Sequence, residues 1–334
     1  MDNESGYVRL ARIMHMVLER ARVPLYFSKY SKHTYTVWQH MTLLAIRQYE
    51  FKSYRSFDEW LNEASGLVKF LKLSKIPHYT ALNKFALRIS SKLLEWVLAR
   101  FITLSNVRKL FIGIDASGFK PGHASQYFFE RMRGGVKKHV RGYVKLSIGV
   151  ELREQLICSL KIRRSPRHDN IDFKNVISKS ATIKQLSIVV ADKGYDSEDN
   201  HEFVREHLDA LSIIPTKFPN VPVERMHGRY RKMMKQCFHK ELYNQRSKNE
   251  TVLSVIKRMF GEHITSRRIG AQNRELAFRC IAYNMHRCER IIFVIVRGFL
   301  QSQGTEIIME NHTKLSNIVM LLTIQSPNYY LKNS

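Results

Sequence analysis

Lys109-Leu-Phe-Ile-Gly-Ile-Asp115 is a short apolar run that stops at a carboxylate, and Leu186-Ser-Ile-Val-Val-Ala-Asp192 repeats the plan. Runs of this length and composition read as buried strands. Between them, Tyr143–Leu152 and Gln155–Arg163 are two further strand-like runs parted by a few polar residues, which predicts a hairpin. Asp169–Ser178 reads as a helix that Asp169 would cap. After Asp192, Lys193-Gly194 reads as a turn, Ser197–Leu208 as a helix, Ala210–Pro215 as a strand and Glu241–Gly261 as one long helix. The resulting order, β–β–β–α–β–α–β–α, belongs to an α/β mixed sheet with helices packed on it.

Upstream, the pattern is all helical. Tyr7–Arg22 carries Leu10, Ile13, Met14, Val17, Leu18 and Ala21 at helical spacing, and Val37–Tyr49 gives a second helix. A third is expected from Ser56, where Ser-Phe-Asp-Glu has the form of a capping box, with Phe57, Trp60, Leu61, Ala64 and Val68 on its apolar face. Pro77 precedes a fourth, from Leu82 and Phe85 through Ile89 to Trp96 and Val97. Two helices joined by a basic turn (Lys72, Lys75) fit a helix-turn-helix whose reading helix follows Pro77, and they fit a plain helical bundle equally well.

The chain has 334 residues, with 55 Lys+Arg against 29 Asp+Glu and a formal net charge of +26. Such an excess is costly to hold compact without a polyanion, and nucleic acid is the natural partner. Arg131–Lys145 holds six Lys/Arg and no acid, and Thr216–Lys240 holds seven against Glu224 alone, with Tyr230 and Phe238 interleaved. Both read as loops reaching toward phosphates, against the plainer reading of solvated basic surface. The N-terminus lacks the apolar core of a secretory signal. Ile291–Val296 and Ile318–Leu322 fall far short of the ~18–20 residues that span a bilayer. Four cysteines without CxxC spacing fit a reduced, cytoplasmic protein. Cys280, His286 and Cys288 match no usual zinc spacing and read better as core residues around a histidine.

Asp115 and Asp192 each end a strand, a common place for Asp beside a turn. Together they invite a cationic partner, since side-by-side carboxylates repel. On the predicted long helix, Tyr243, Arg246, Glu250 and Lys257 fall at about 0°, 300°, 340° and 320°, one narrow polar stripe. A solvated face with Arg246–Glu250 ion pairing explains the same stripe.

Tyr-x2-Arg-x3-Glu-x6-Lys, present as Tyr243, Arg246, Glu250 and Lys257, resembles the Tyr-Arg-Glu-Lys signature of prokaryotic insertion-sequence transposases of the DDE class. Ile112–Ser117, Ala191–Ser197 and Ser165-Pro-Arg-His-Asp169 are similar to that family's stretches around the first acid, the second acid and the end of the third strand. The resemblance implies an RNase H-like core over residues 107–298, with the basic loop 216–240 inside it. A helical DNA-binding region, 1–106, would precede the core, and an extension of unknown role, 299–334, would follow. It implies that Asp115, Asp192 and Glu250 hold two Mg²⁺ or Mn²⁺ ions, and that Arg246, Lys257 and Tyr243 bind DNA near the cut. His168 and Asp169 would lie beside the metal site, although an Asp opening a helix is commonly only a cap. The implied activity is cleavage of element ends and joining of the 3′-OH to target double-stranded DNA by a homodimer, with no membrane involved. Two other readings remain open: an RNase H-like nuclease or resolvase, and a catalytically inactive DNA-binding derivative of a transposase.

Overall fold

The computed structural model describes residues 5–121, 143–164, 168 and 170–302, without side chains from 293 onward. Ser165–Arg167, Asp169, nearly all of the first basic loop and the segment after Ser302 lie outside the described residues.

Strand β1 (Leu110–Pro121) organises the sheet, with Leu110, Ile112 and Ile114 wholly buried. On one side it pairs antiparallel with β2 (Val144–Glu151), which pairs antiparallel with β3 (Leu156–Arg163). On the other it pairs parallel with β4 (Leu186–Ala191), which pairs parallel with β5 (Leu211–Ile213). A short β6 (His263–Ile264) joins the far end of β1. The order β3-β2-β1-β4-β5 is an RNase H-like mixed sheet. Every residue of β2 is buried, as expected of a central strand covered on both faces.

Six helices precede the sheet: α1 (Gly6–Arg20), α2 (Val37–Tyr49), α3 (Tyr54–Glu63), α4 (Ser65–Phe70), α5 (Tyr79–Arg88) and α6 (Ser91–Arg100). Helices α7 (Asn170–Ala181) and α8 (Glu198–Glu202, continued as a π-turn to His207) connect β3 to β4 and β4 to β5. Then come α9 (Arg229–Gln236), α10 (Lys240–Asn244), α11 (Ser247–Phe260) and α12 (Ile269–Ser302). Helix α12 runs under α2 and α6 and closes the free edge of β3. There the Asn284 amide accepts the Ile157 N–H at 3.0 Å and donates to the Ile157 carbonyl at 2.8 Å, which satisfies that residue's outward backbone groups. One apolar cluster runs from Leu10 through the sheet to Ile291, and Lys179 on α7 pairs with Glu95 on α6 at 2.7 Å. No helix among the described residues is long and apolar enough to cross a membrane.

Several sequence expectations need correction. The third helix starts at Tyr54, because Ser53 Oγ accepts the Ser56 N–H at 3.1 Å; the capping box belongs instead to α2, between Thr36 and Gln39. It then breaks at Ala64. The fourth expected helix is two, parted at Ile89 and Ser90, so that Ile89 is buried. β1 continues six residues past Asp115 to Pro121. The second basic loop contains α9, whose Arg231 is held by Asp196 through two hydrogen bonds of 2.8 and 2.7 Å. Cys158, Cys280 and Cys288 are buried free thiols, and burial pushes the Cys280 thiol up to about 12, which makes it inert.

Candidate active site

The parallel ladder of β1 and β4 ends at Ile114↔Ala191, and the next residue on each chain is an acid, Asp115 and Asp192. In-register neighbours on parallel strands project to the same face about 4.8 Å apart. Backbone pairing alone therefore sets these two carboxylates side by side. β4 stops there, whereas β1 keeps its ladder with β2 as far as Phe119↔Val144. Past Asp115 the β4 side of β1 is open, which is the form of the crevice where α/β sheets place ligands. Asp115 thus lies within its own strand yet at the end of the parallel ladder.

Glu250 comes from α11, packed across β1 through Gly113. A Cβ on that glycine would stand 2.3 Å from the Asn249 amide nitrogen, so the absent side chain admits the helix. Asn249 is wholly buried, and its neighbour Glu250 faces out into the crevice, more than half exposed. Asp115, Ser117, Glu250, Ser254, Lys257 and Glu262 line a cavity of about 440 Å³ between β1 and α11.

Electrostatics link the three acids. Burial pushes the Asp115 carboxyl up, and the charges of Glu250 and Asp192 add to the push, while the Ala116 N–H and Arg246 oppose it. Arg246 is the cation common to all three: it pairs with Glu250 at 2.7 Å and acts on Asp115 and Asp192 through its charge. Tyr243 stands 5.8 Å from the Arg246 guanidinium. Its phenol is pushed up by burial and by nearby Asp192, against the pull of Arg246. Lys257 lies 5.7 Å above the Phe119 ring and 3.8 Å from Glu262.

The stripe reaches this arrangement differently from the single helix expected. The chain breaks between α10 and α11, where Arg246 N–H donates to the Tyr243 carbonyl at 2.9 Å and Asn249 N–H to the Arg246 carbonyl at 2.9 Å. These three-residue closures divide the helix, and Tyr243, before the break, lies near Asp192. Sequence reasoning missed Glu262 and the Gly113–Asn249 contact. Glu262 carried no signal, whereas a glycine inside an apolar strand is itself a sign of close backbone approach. His168 is exposed, and Asp169 falls outside the described residues.

Three carboxylates supply the hard oxygen donors that Mg²⁺ or Mn²⁺ prefer. Among the described residues no three acids, histidines or cysteines are drawn into a finished metal cluster.

Residues 108–285 match the family model described as a transposase DDE domain. No curated protein matches the chain. Among solved structures it is similar to the piggyBac transposase in its cryo-EM synaptic complex with hairpin DNA, at 8% identity and a TM-score of 0.45, over 96% of this chain and 80% of that one. The family match takes in more than half of the 334 residues and includes both strand-end acids, the helix of Glu250 and the sheet that carries them, so the chain belongs to the DDE-domain transposases.

Proposed function

We propose that this chain is the transposase of an insertion sequence, which cuts the ends of its element and joins the freed 3′-OH to target DNA. The observation that carries the reading is that Asp115 and Asp192 follow directly on the last rung of the parallel ladder, while Glu250 shares a cavity with Asp115. Asp115, Asp192 and Glu250 would hold two Mg²⁺ or Mn²⁺ ions, which supply an activated water or 3′-hydroxyl and stabilise the leaving oxygen. Glu250 pairs with Arg246 through one carboxylate oxygen and keeps the other for a metal, and Arg246 would hold a DNA phosphate beside the cut. Tyr243 contacts the same strand. Lys257 sits two turns along α11 from Glu250, about 10 Å, and suits a neighbouring phosphate. Residues 1–106 contribute DNA contacts, residues 107–298 the chemistry, and a homodimer brings two element ends together in the cytoplasm.

Linear DNA bearing both element ends, incubated with the full chain and Mg²⁺, tests the reading against Asp192→Asn and Glu250→Gln. Nicking at the ends and joining to a second DNA are expected from the unaltered chain. Both variants should lose at least a thousandfold in rate, about 4 kcal/mol of transition-state stabilisation, while still binding DNA. Metal-dependent cutting without joining would make the protein a nuclease or resolvase. Binding without any cutting would make it an inactive derivative.

A further inference from the structure

A second cavity, of about 670 Å³, lies between the helical part and the start of α12. Its lining holds five cations, Arg47, Lys52, Arg267, Arg268 and Arg279, against one carboxylate, Glu275. That carboxylate is already saturated. It accepts from Arg279 at 2.7 Å, from the Thr265 and Ser266 N–H groups at 3.0 and 2.8 Å, and from the Thr265 hydroxyl at 3.2 Å. Arg47 is 7% exposed and lies 4.1 Å from the Tyr54 ring centre; one of its terminal nitrogens donates to the Lys52 carbonyl at 2.7 Å, and its Nε has no partner among the described residues. Arg279 is taken by Glu275, but Arg47, Lys52, Arg267 and Arg268 have no carboxylate partner among the described residues, and a buried guanidinium grouped with such cations is a receptor for an anion.

The rim adds an aromatic ring. Helix α2 ends in a Schellman motif, with Lys52 N–H donating to the Arg47 carbonyl at 3.2 Å and Phe51 N–H to the Gln48 carbonyl at 3.0 Å. The left-handed residue this motif requires is usually Gly or Asn. Here it is Phe51, at φ +50° and 55% exposed. Arg22 and Lys72 take the same left-handed cap at the ends of α1 and α4, so what sets Phe51 apart is an aromatic ring more than half exposed at the rim of a cationic cavity. The edge of that ring lies over Gly261, where a Cβ would come within 3.0 Å of it.

This cavity adjoins the catalytic crevice. Glu262 lines the first and Thr265 the second, with β6 between them, a separation of about 10 Å along extended chain. A DNA strand lying in the crevice reaches the cavity within a few nucleotides.

We propose that the cavity is a second DNA subsite, in which Arg47, Arg267 and Arg268 hold a phosphodiester while an unpaired base stacks on Phe51. The proposal rests on the reading of this chain as a DNA-cutting enzyme, and binding measured without metal separates the two. The probes are a blunt duplex and the same duplex with a short single-stranded overhang, titrated over a range of salt with the full chain and with Arg267→Gln/Arg268→Gln, Phe51→Ala, Phe51→Tyr and Lys257→Gln. Losing the grip on that one phosphodiester should lower the slope of log affinity on log salt by about 1 in the double variant. Phe51→Ala should keep the slope and lose about five- to a hundredfold in affinity for the overhang alone, with Phe51→Tyr retaining it. An unchanged slope in the double variant, with Lys257→Gln lowering it, would overturn the phosphate subsite. Equal loss on blunt and overhang DNA, or none, in Phe51→Ala would overturn the stacking role. If the slope falls as expected but the unaltered chain never cuts with Mg²⁺, the subsite stands and the catalytic reading fails.

Discussion

Gly113 holds no side chain, and the geometry of the candidate active site depends on that. A methyl group there would stand 2.3 Å from the Asn249 Nδ2 and 2.6 Å from its Oδ1, closer than real Cβ atoms come to any neighbour. The clash is with an amide that is wholly buried and has no hydrogen-bond partner among the described residues, so it has nowhere polar to turn. Gly113→Ala therefore lifts α11 from β1 and takes Glu250 away from Asp115. Overpacking of this kind costs about 1–3 kcal/mol of stability. DNA cleavage should fall at least a hundredfold, since misplacement by about 1 Å has that effect, with DNA binding unchanged. Cleavage within tenfold of the unaltered chain would show that the packing of α11 on β1 does not position Glu250. The pair was half legible in sequence. The glycine stands out within Leu-Phe-Ile-Gly-Ile, but its partner 136 positions later becomes visible only once the helix is laid on the sheet.

Elements were legible where apolar period alone decides them. The four long strands of the sheet and α2 fall within a few residues of expectation at their starts, because burial of alternate or successive apolar residues leaves little choice of register. Where backbone hydrogen bonding competes with periodicity, expectation failed. The stretch from Glu241 to Gly261 has helical spacing throughout, yet three-residue closures at Arg246 and Asn249 divide it, and Tyr243, before the break, lies near Asp192. A second element-level consequence concerns α8, whose His201 has no exposed surface and shares a 2.7 Å hydrogen bond with Ser212 on β5. Burial lowers its pKa to about 4, the charge of Asp196 opposing the fall only in part. A folded pKa below the unfolded value of about 6.5 makes the neutral ring the folded form. The stability it contributes is complete above pH 6.5 and is lost as pH falls through 6.5 toward 4. Full protonation would cost about 3 kcal/mol. The midpoint of thermal unfolding should therefore drop between pH 7 and pH 5, and His201→Gln should flatten the drop. An equal drop in the variant would place the acid sensitivity elsewhere.

Across the whole molecule, two facts oppose each other: a single apolar cluster joins the helical part to the sheet, and a net charge of +26 pushes the molecule apart. The shared core predicts that residues 1–106 and the catalytic sheet unfold in one calorimetric transition, because separating them would expose the face of α12 that packs under α2 and α6. The charge predicts how that transition responds to salt. Without DNA, self-repulsion destabilises the compact state, and added salt screens it, so the midpoint should rise with ionic strength. With duplex DNA of arbitrary sequence at about a hundred times its dissociation constant, binding adds about 2.7 kcal/mol at low salt, a rise of roughly 4 °C. That increment must fall as salt rises, since counterion release is what drives the association. The two curves should converge at high salt, one climbing and one descending. A DNA-free midpoint indifferent to salt would mean that the cations are already compensated within the fold, and the excess charge would then say nothing about a polyanionic partner. Convergence would assign the charge to the DNA backbone and leave sequence recognition to be sought in the helical part.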